Sequence, residues 1–529
     1  MIVLLLAACS GGGDGNTSRQ IDLSTDALSF RANASDTAAP ATQVITANFG
    51  ERVANLSVIH TGSGIERTDV ALSGNSAEIT IVPVAPTSLG GGTFQSTIGV
   101  TAYFCADAAC SRLDAGGSRT VAVSYVVAPI ITEVAPNVGI AGTGAATIIR
   151  GVGFRGFTIQ GVNFGNTAAT ALTIESDTQI RATYPALPAG SYPVSINMSS
   201  IAGELMSTAT LLVVDPIAHT AQTLAWPAAV TAVRSLQYDA QRAALLVGTD
   251  AGGGTIFRYP YAGGAWGAPT SVAIANLQDA TLAADGSRLL ALSRTAVTPL
   301  EPTTFAADAA VAAPSLPDGS FLKNIAMTNT NQAIVTTGIN ASQATPLYVY
   351  TTRTGAIAQQ NSALNNGTPG ASADGALVTL MQGDSTLTSA PPVYALVAVD
   401  GSITSVNVAL NQNAIAPVVD RDSTRIVLNG VNVYDNTFAL WGKLPETTLA
   451  LALRPDGKRA YTYDSAAGGL LVFDTSATKS GEAYVALGAV VPLTGSPGAN
   501  VKMTISPDGN TLILAGANQL VVQPTPIDP

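Results

Sequence analysis

Few residues of this sequence could carry chemistry, and they lie far apart. The chain has two histidines, His60 and His219, and three cysteines, Cys9, Cys105 and Cys110. A general base is most often a histidine, and a structural zinc needs four ligands close together. The sequence has no nucleophile elbow, P-loop, EF-hand loop or His-Glu-x-x-His motif. We therefore expect no catalytic residue, no metal site and no cofactor.

Aromatic residues are the best candidates for ligand contact. Tyr259, Tyr261 and Trp266 lie within the short stretch Tyr-Pro-Tyr-Ala-Gly-Gly-Ala-Trp. Such a loop could stack on a sugar or hold a peptide. The same three side chains could instead pack an outer strand, and we favour that interpretation.

Several carboxylates of the C-terminal half fall at predicted turns: Asp239, Asp285, Asp374, Asp456 and Asp508. Aspartate at a turn commonly accepts hydrogen bonds from the backbone two or three residues further on. We therefore predict that these carboxylates cap turns and do not act in catalysis.

The composition indicates an all-β protein. Hydrophobic residues make up 47% of the 529-residue chain and charged residues only 11%, with 51 glycines and 29 prolines. Abundant Val, Thr and Ile favour strands, and so many Gly and Pro residues favour many short turns. The formal net charge of −11 argues against a nucleic-acid partner, which requires a basic surface.

The N-terminus resembles a bacterial lipoprotein signal. Leu6-Ala7-Ala8-Cys9 is similar to a lipobox, and the Gly-rich run from Ser10 to Gly15 resembles the tether that follows a lipidated cysteine. The resemblance implies lipidation at Cys9, and Ser10 implies an outer-membrane lipoprotein on its periplasmic or surface side. The usual basic segment is missing, so we expect the coding start to lie upstream. The alternative is a cytosolic protein with a chance apolar start.

Export would permit a disulfide between Cys105 and Cys110. The two cysteines lie between the strand-like segments 101–104 and 120–125, so a bond would close a short loop at the end of a hairpin. Two free thiols are the alternative, and in an oxidising compartment we favour the bond.

Two β-sandwiches are predicted after residues 1–19, the signal remnant and tether. Residues 20–127 contain about seven alternating segments and resemble bacterial Ig-like modules. Residues 128–215 contain, in order, Ala-Pro-Asn-Val-Gly, Arg-Gly-Val-Gly-Phe, Val-Asn-Phe-Gly and a Pro-Ala-x-x-x-Gly turn. This succession resembles the IPT/TIG family of Ig-like domains. Gly151 and Gly153 are expected to allow a bulge or tight bend, and Phe154 and Phe164 to fill the core.

Residues 216–529 repeat a strand–turn–strand unit. Seven turns recur, and Asp239 and Asp285 are 46 positions apart, which matches the length of a four-stranded propeller blade. The Ser-Pro-Asp-Gly and Arg-Pro-Asp-Gly turns resemble those of exported YVTN/lactonase-like and TolB-like propellers. The chain ends after a third strand, so we predict that Gln222–Ala225 supplies the missing fourth strand. The predicted fold is all-β: two Ig-like sandwiches followed by a seven-bladed β-propeller.

Binding is the function that this organisation favours. We expect a lipid-anchored cell-envelope protein, attached to the membrane through its anchor, that presents the propeller to an envelope protein or polysaccharide. A structural role in an envelope complex is a related possibility. The alternative is a propeller enzyme, a hydrolase, lactonase-like enzyme or lyase, acting on an envelope or extracellular polymer without histidine.

Overall fold

The computed structural model describes residues 20–199, 204–339, 345–364, 367–373, 375–381, 393–397, 403–406, 415–445 and 450–526. Cys9, the predicted tether and Asp374 lie outside the described residues. Strands dominate the secondary structure, so the predicted all-β fold is confirmed. Within the described part of the chain, no helix has the length and apolar character that a membrane span requires.

The first unit is a sandwich of two four-stranded sheets. Its elements are β1 Ile21–Leu23, β2 Ala27–Asn33, β3 Gln43–Phe49, β4 Asn55–Thr61, β5 Ile65–Ser73, β6 Ser76–Pro83, α1 Pro86–Leu89, β7 Gly92–Cys105 and β8 Leu113–Ala128. One sheet has the order β1-β3-β6-β5 and the other β2-β8-β7-β4.

The inward residues of both sheets form one core, as the period-two alternation requires. Ile45 and Ile79 of one sheet and Val100 and Val123 of the other belong to this core and are fully buried. The sequence did not reveal β5, because this edge strand is mostly exposed and carries little hydrophobic alternation. Cys105 and Cys110 are disulfide-bonded, with Cα atoms 4.7 Å apart, beyond the end of β7.

The second unit is also a two-sheet sandwich. Its strands are β9 Ile130–Ala135, β10 Val138–Ile140, β11 Ala145–Val152, β12 Ile159–Phe164, β13 Thr167–Ala168, β14 Ala171–Ser176, β15 Gln179–Tyr184, β16 Gly190–Met198 and β17 Glu204–Val214. The sheet orders are β14-β15-β11-β9 and β10-β17-β16-β12-β13.

The predicted glycine and phenylalanine roles in this second sandwich are confirmed. The β9–β11 register shifts between Arg150 and Gly151, which marks a bulge, and a Cβ on Gly151 would lie 2.0 Å from the Ile130 carbonyl oxygen. Gly153 has a φ of 88°, a conformation that glycine adopts without strain. Phe154 and Phe164 are fully buried in the core.

Seven sheets form the third unit, the propeller: six have four strands, and that of the first blade has five. The strand β18 Gln222–Ala225 comes first, and the first blade then contains β19 Val233–Asp239, β20 Ala244–Thr249, β21 Thr255–Ala262, the short β22 Ala265–Trp266 and β23 Thr270–Ala273. The second blade contains β24 Leu277–Leu282, β25 Leu289–Ser293, β26 Ala296–Leu300 and β27 Val311–Ala312. The third blade contains β28 Ser320–Met327, β29 Gln332–Ile339, β30 Thr345–Thr351 and β31 Ala356–Leu364.

The remaining four blades continue the pattern. The fourth blade contains β32 Thr368–Ala371, β33 Leu377–Met381, β34 Val393–Val397 and β35 Ile403–Val406, and the fifth contains β36 Val418–Val419, β37 Arg425–Leu428, β38 Asn432–Asp435 and β39 Leu440–Lys443. The sixth blade contains β40 Leu451–Leu453, β41 Arg459–Asp464, β42 Gly469–Asp474 and β43 Val491–Pro492. The seventh contains β44 Lys502–Ile505, β45 Thr511–Ala515 and β46 Gln519–Pro524.

The seven blades close into a ring. The inner strands contact one another in the order β19, β24, β28, β32, β36, β40 and β44, and β44 contacts β19 again. The last blade is completed by β18, which pairs antiparallel with β46 so that Gln222 faces Val522 and Ala225 faces Gln519. The predicted closing strand is therefore confirmed. It removes the exposed edges that an open ring would leave.

Trp226 secures this closure from the end of β18. Its Nε1 donates to the Gly516 carbonyl in the last blade at 2.9 Å, and its ring packs against Phe257 and Tyr259 of the first blade at centroid distances of 6.0 and 6.3 Å. Trp226 therefore packs between the first and the last blade.

We predict that Trp226→Ala lowers the free energy of unfolding by about 2–3 kcal/mol, because a half-buried aromatic ring between the first and last blades is lost. Chemical denaturation followed by far-UV circular dichroism measures this change. Val485→Ala is the matched control, since Val485 is 81% exposed and should leave the unfolding curve unchanged. Equal effects of the two substitutions would contradict the closing role of Trp226.

Candidate functional site

A cavity of about 690 Å³ runs along the axis of the propeller. The inner strands of all seven blades contribute to its wall, as do residues that lead into them. One end is lined by the second sandwich through Pro136, Val138–Ile140, Thr143–Ala146 and Tyr184. The volume falls within the range of small-molecule sites. This cavity is therefore the main candidate site.

The turns that follow the inner strands surround the end nearest the second sandwich. Gly286, Arg421, Pro455 and Pro507 from these turns line the cavity together with that sandwich. We call this side of the ring the turn face. The opposite end, where the inner strands begin, is lined within the described chain by propeller residues alone, Arg234, Asp279 and Lys502 among them.

The predicted capping carboxylates behave as expected where the structure describes them. Asp285 Oδ1 accepts from Ser287 N at 2.9 Å, Asp456 Oδ1 from Lys458 N at 3.1 Å and Asp508 Oδ1 from Asn510 N at 3.0 Å. Asp239 Oδ1 likewise accepts from Arg242 N at 3.2 Å, and its Oδ2 lies 3.0 Å from Arg242 Nη1.

A buried polar contact joins the turn face to the second sandwich. Asn331, in the turn of the third blade, donates through Nδ2 to Glu133 Oε1 on β9. Arg353 Nη1 also reaches Thr132 Oγ1 at 3.4 Å. Glu133 is only 9% exposed. Burial raises the pKa of Glu133 to about 7, against the opposing effect of the Arg150 charge, while Asp285 raises it further.

The opposite end of the cavity carries a repeated irregularity. The ladder between the first two strands of a blade shifts register after Val233, after Leu277 and after Leu322. The extra residues are Arg234, Gln278 and Lys323, at the same place in three consecutive blades. A bulge redirects the side chains around it and is common near functional sites.

Charged groups lie at this bulged end. Arg234, Asp279 and Lys502 line the cavity from the first, second and seventh blades. Asp279 Oδ2 accepts from Asn324 Nδ2 and Ile325 N, both at 3.1 Å, and its Oδ1 accepts from Ala280 N at 2.9 Å. Burial raises the pKa of Asp279, and the positive charge of Lys502 opposes this rise.

The aromatic candidates lie elsewhere, on the outer part of the first blade. Tyr259 is buried, and its hydroxyl donates to the Ala225 carbonyl at 3.0 Å. Tyr261 and Trp266 contact each other at a centroid distance of 5.0 Å and both contact His219, at 4.2 and 4.8 Å. The structure thus brings Tyr261 and Trp266 together, whereas Tyr259 packs against the closing strand.

His219 is the residue of this cluster that the sequence did not reveal. It is 1% exposed, its Nε2 lies 3.2 Å from the Tyr238 hydroxyl, and its Nδ1 is buried without a hydrogen-bond partner. Burial lowers the pKa of His219, against the opposing charge of Asp508. The contacts of the His219 ring hold the segment between the second sandwich and β18 against the first blade.

The described residues contain no group of three or more His, Cys, Asp or Glu side chains that could hold a metal ion. What the cavity offers instead is a cationic and hydrogen-bonding end for a bound molecule. Its turn-face end is lined by the second sandwich.

Comparison with known proteins supports the domain reading of the middle segment. The IPT/TIG domain family matches residues 129–213, so the second sandwich is an IPT/TIG domain. No curated protein matches the chain significantly.

Solved structures similar to the chain include two propellers. The β-propeller domain of Cps50 (Swd1) from Myceliophteria thermophila is 11% identical with a TM-score of 0.41, covering 58% of this chain and all of that domain. The WD40 repeats of RRP9 are 10% identical with a TM-score of 0.42, covering 58% of this chain and 99% of theirs. The propeller assignment itself rests on the seven sheets and their closure.

We predict that the stability of the chain depends on pH through Glu133. In the unfolded chain its pKa is near 4.5, whereas the folded value is about 7. Stability from this group is complete below pH 4.5 and falls as the pH rises to 7, by up to about 3 kcal/mol. Glu133→Gln keeps an acceptor for Asn331 and should remove this loss, raising the thermal midpoint at pH 8. An unchanged difference between the midpoints at pH 5 and pH 8 would contradict the prediction.

His219 should act in the opposite direction. Because burial lowers its pKa, its contribution is complete above the unfolded value of about 6.5 and is lost as the pH falls further. His219→Phe keeps an aromatic ring against Tyr261 and Trp266, although it loses the contact to Tyr238. We expect this variant to unfold at a midpoint that falls less between pH 7 and pH 5 than in the wild type, as measured by differential scanning calorimetry. His60→Phe is the control, since His60 lies outside the propeller on β4.

Proposed function

We propose that this chain is a lipid-anchored binding protein of a bacterial cell envelope. Cys9 would carry the lipid at the outer membrane, on its periplasmic or surface side. The two sandwiches would hold the propeller away from the membrane, and the propeller would present the bulged end of its cavity to an envelope protein or polysaccharide.

The observation that carries this proposal is the position of the IPT/TIG domain on the propeller. It lines the cavity at the turn face and bonds to that face through Glu133 and Thr132. A partner is therefore best received at the opposite face, where Arg234 and Lys502 line the cavity. The order of the units supports the proposal, because two sandwiches separate the propeller from Cys9 along the chain.

A propeller enzyme is the second candidate, and Asp279 favours it. A carboxyl group in a cavity with a raised pKa is a recognised mark of acid–base chemistry. The three hydrogen bonds that Asp279 accepts also have a structural explanation, because two of them join the second blade to the third. We therefore rank binding above catalysis.

Incubation of the full chain with a glycan array and with fractionated envelope proteins separates these candidates. We expect saturable binding of one partner, with no change in its mass. Conversion of a glycan that is abolished by Asp279→Asn, but not by Asp285→Asn, would overturn the proposal in favour of an enzyme. Asp285 is the matched carboxylate, because it caps a turn on the other face.

Lipidation is tested independently of the partner. We predict that cells expressing the chain incorporate labelled palmitate into it, and that Cys9→Ala abolishes both the label and its recovery in the membrane fraction. Cys105→Ala is the control and should retain both. Label that persists in Cys9→Ala would contradict the anchor.

A further inference from the structure

The bulged end of the propeller cavity has two unlike sides. On the seventh, first and second blades the lining residues include Lys502, Arg234 and Asp279. On the fifth and sixth blades, the described residues that line this end are apolar: Ile415, Ala416 and Leu451. A cavity with polar groups on one side and hydrocarbon on the other fits a molecule with the same division.

The polar side carries a net positive charge in a protein that is strongly acidic overall. Arg234 and Lys502 are cations, and Asp279 is the anion that lines the cavity beside them. The chain as a whole has a formal net charge of −11. A local cationic site in an acidic protein attracts an anionic ligand specifically, because the remaining surface repels it.

Asp279 does not neutralise the positive charge of both Arg234 and Lys502. Its two carboxylate oxygens already accept hydrogen bonds from Asn324, Ile325 and Ala280. Lys502 acts on Asp279 through its charge. Arg234, by contrast, has a buried Nε with no hydrogen-bond partner, although an unpaired buried donor is costly. Because this Nε is shielded from solvent, a ligand in the cavity would meet another part of the Arg234 side chain, which lines the cavity.

The position of Arg234 on a bulge supports the same assignment. The ladder between β19 and β20 shifts register between Val233 and Ser235, so that Arg234 is the extra residue. Gly248, opposite Ser235, donates its N–H to Ser235 Oγ at 3.1 Å, which completes the distorted ladder through a side chain. The bulge thus has its own stabilising contact.

We propose that this end of the cavity binds an amphipathic organic anion, with a carboxylate on Arg234 and Lys502 and a hydrocarbon part against the fifth and sixth blades. A carboxylate matches the guanidinium fork of arginine and forms the stronger, charge-assisted class of hydrogen bond. The inference rests on the proposed binding function and names the chemistry of what enters the cavity.

Isothermal titration calorimetry of the full chain with hexanoate, hexanamide and acetate tests the proposal. Hexanoate should bind at least about tenfold more tightly than hexanamide, because only the acid forms charge-assisted hydrogen bonds. It should also bind more tightly than acetate, because acetate cannot reach the apolar side. Hexanoate that binds no better than hexanamide would overturn the proposal.

Arg234→Gln should weaken hexanoate binding, although Lys502 still attracts the carboxylate, and leave hexanamide binding unchanged, which shows that the cavity is intact. Arg258→Gln is the matched control. Arg258 lies on β21 of the same blade, also has a buried Nε without a partner, and does not line the cavity. An equal loss in the two variants would overturn the proposal.

Asp279→Asn removes a negative charge beside the site and retains an oxygen that can accept from Asn324 and Ile325. It should tighten hexanoate binding and leave hexanamide binding unaffected. Weaker hexanoate binding in this variant, with hexanamide unaffected, would count against the proposed charge arrangement. These measurements leave the anchor and the envelope partner untouched, so hexanoate could fail to bind while the partner still does, and only the ligand assignment would then be lost.

Discussion

The antiparallel ladder between β18 and β46 is the contact on which the rest of the molecule depends. It joins residues about 300 positions apart, Gln222–Ala225 with Gln519–Val522, and converts seven sheets into a closed ring. The same ladder fixes the IPT/TIG domain, because the segment that leads from β17 into β18 is held by the last blade. Ile217 N donates to Asp508 Oδ2 at 2.6 Å, and His219 N donates to Thr511 Oγ1 at 3.4 Å. The segment that closes the ring therefore also holds the sandwich at its turn face.

Charge is scarce in this chain, and two of its carboxyl groups lie where units meet. Glu133 lies between the IPT/TIG domain and the third blade, and Asp279 lies between the second and third blades. Asp420, 1% exposed at the turn of the fifth blade, accepts from Thr424 and Arg425, and burial raises its pKa to about 6. Each of these carboxyls gives up hydration and recovers it through backbone and side-chain donors. Such contacts hold units in a fixed register more than they add stability.

The features that the sequence predicted correctly are local ones. Phe154 and Gly151 could be assigned because side-chain volume and glycine geometry act within a few residues, and the closing strand followed from counting strands in the last blade. The edge strand β5 was missed because its residues are exposed and lack alternation. The third strand of the second blade, β26, contains Pro299, a residue that argues against a strand when the sequence is considered alone. The burial of His219 arises from contacts with Thr511, Tyr238 and Trp266, which no local pattern encodes.

The cavity shows the same distinction between local and distant information. Nothing in the sequence around Arg234, Gln278 and Lys323 marks a bulge, because a bulge depends on the pairing of two strands. Only the ring brings three such bulges to one end of the cavity and places Lys502, from the other end of the propeller sequence, beside Arg234 on the neighbouring inner strand. The repeated blades form the ring, and a departure from that repetition, the charged residues found only on some blades, gives one side of the cavity its charge. The proposed anion site depends on that departure.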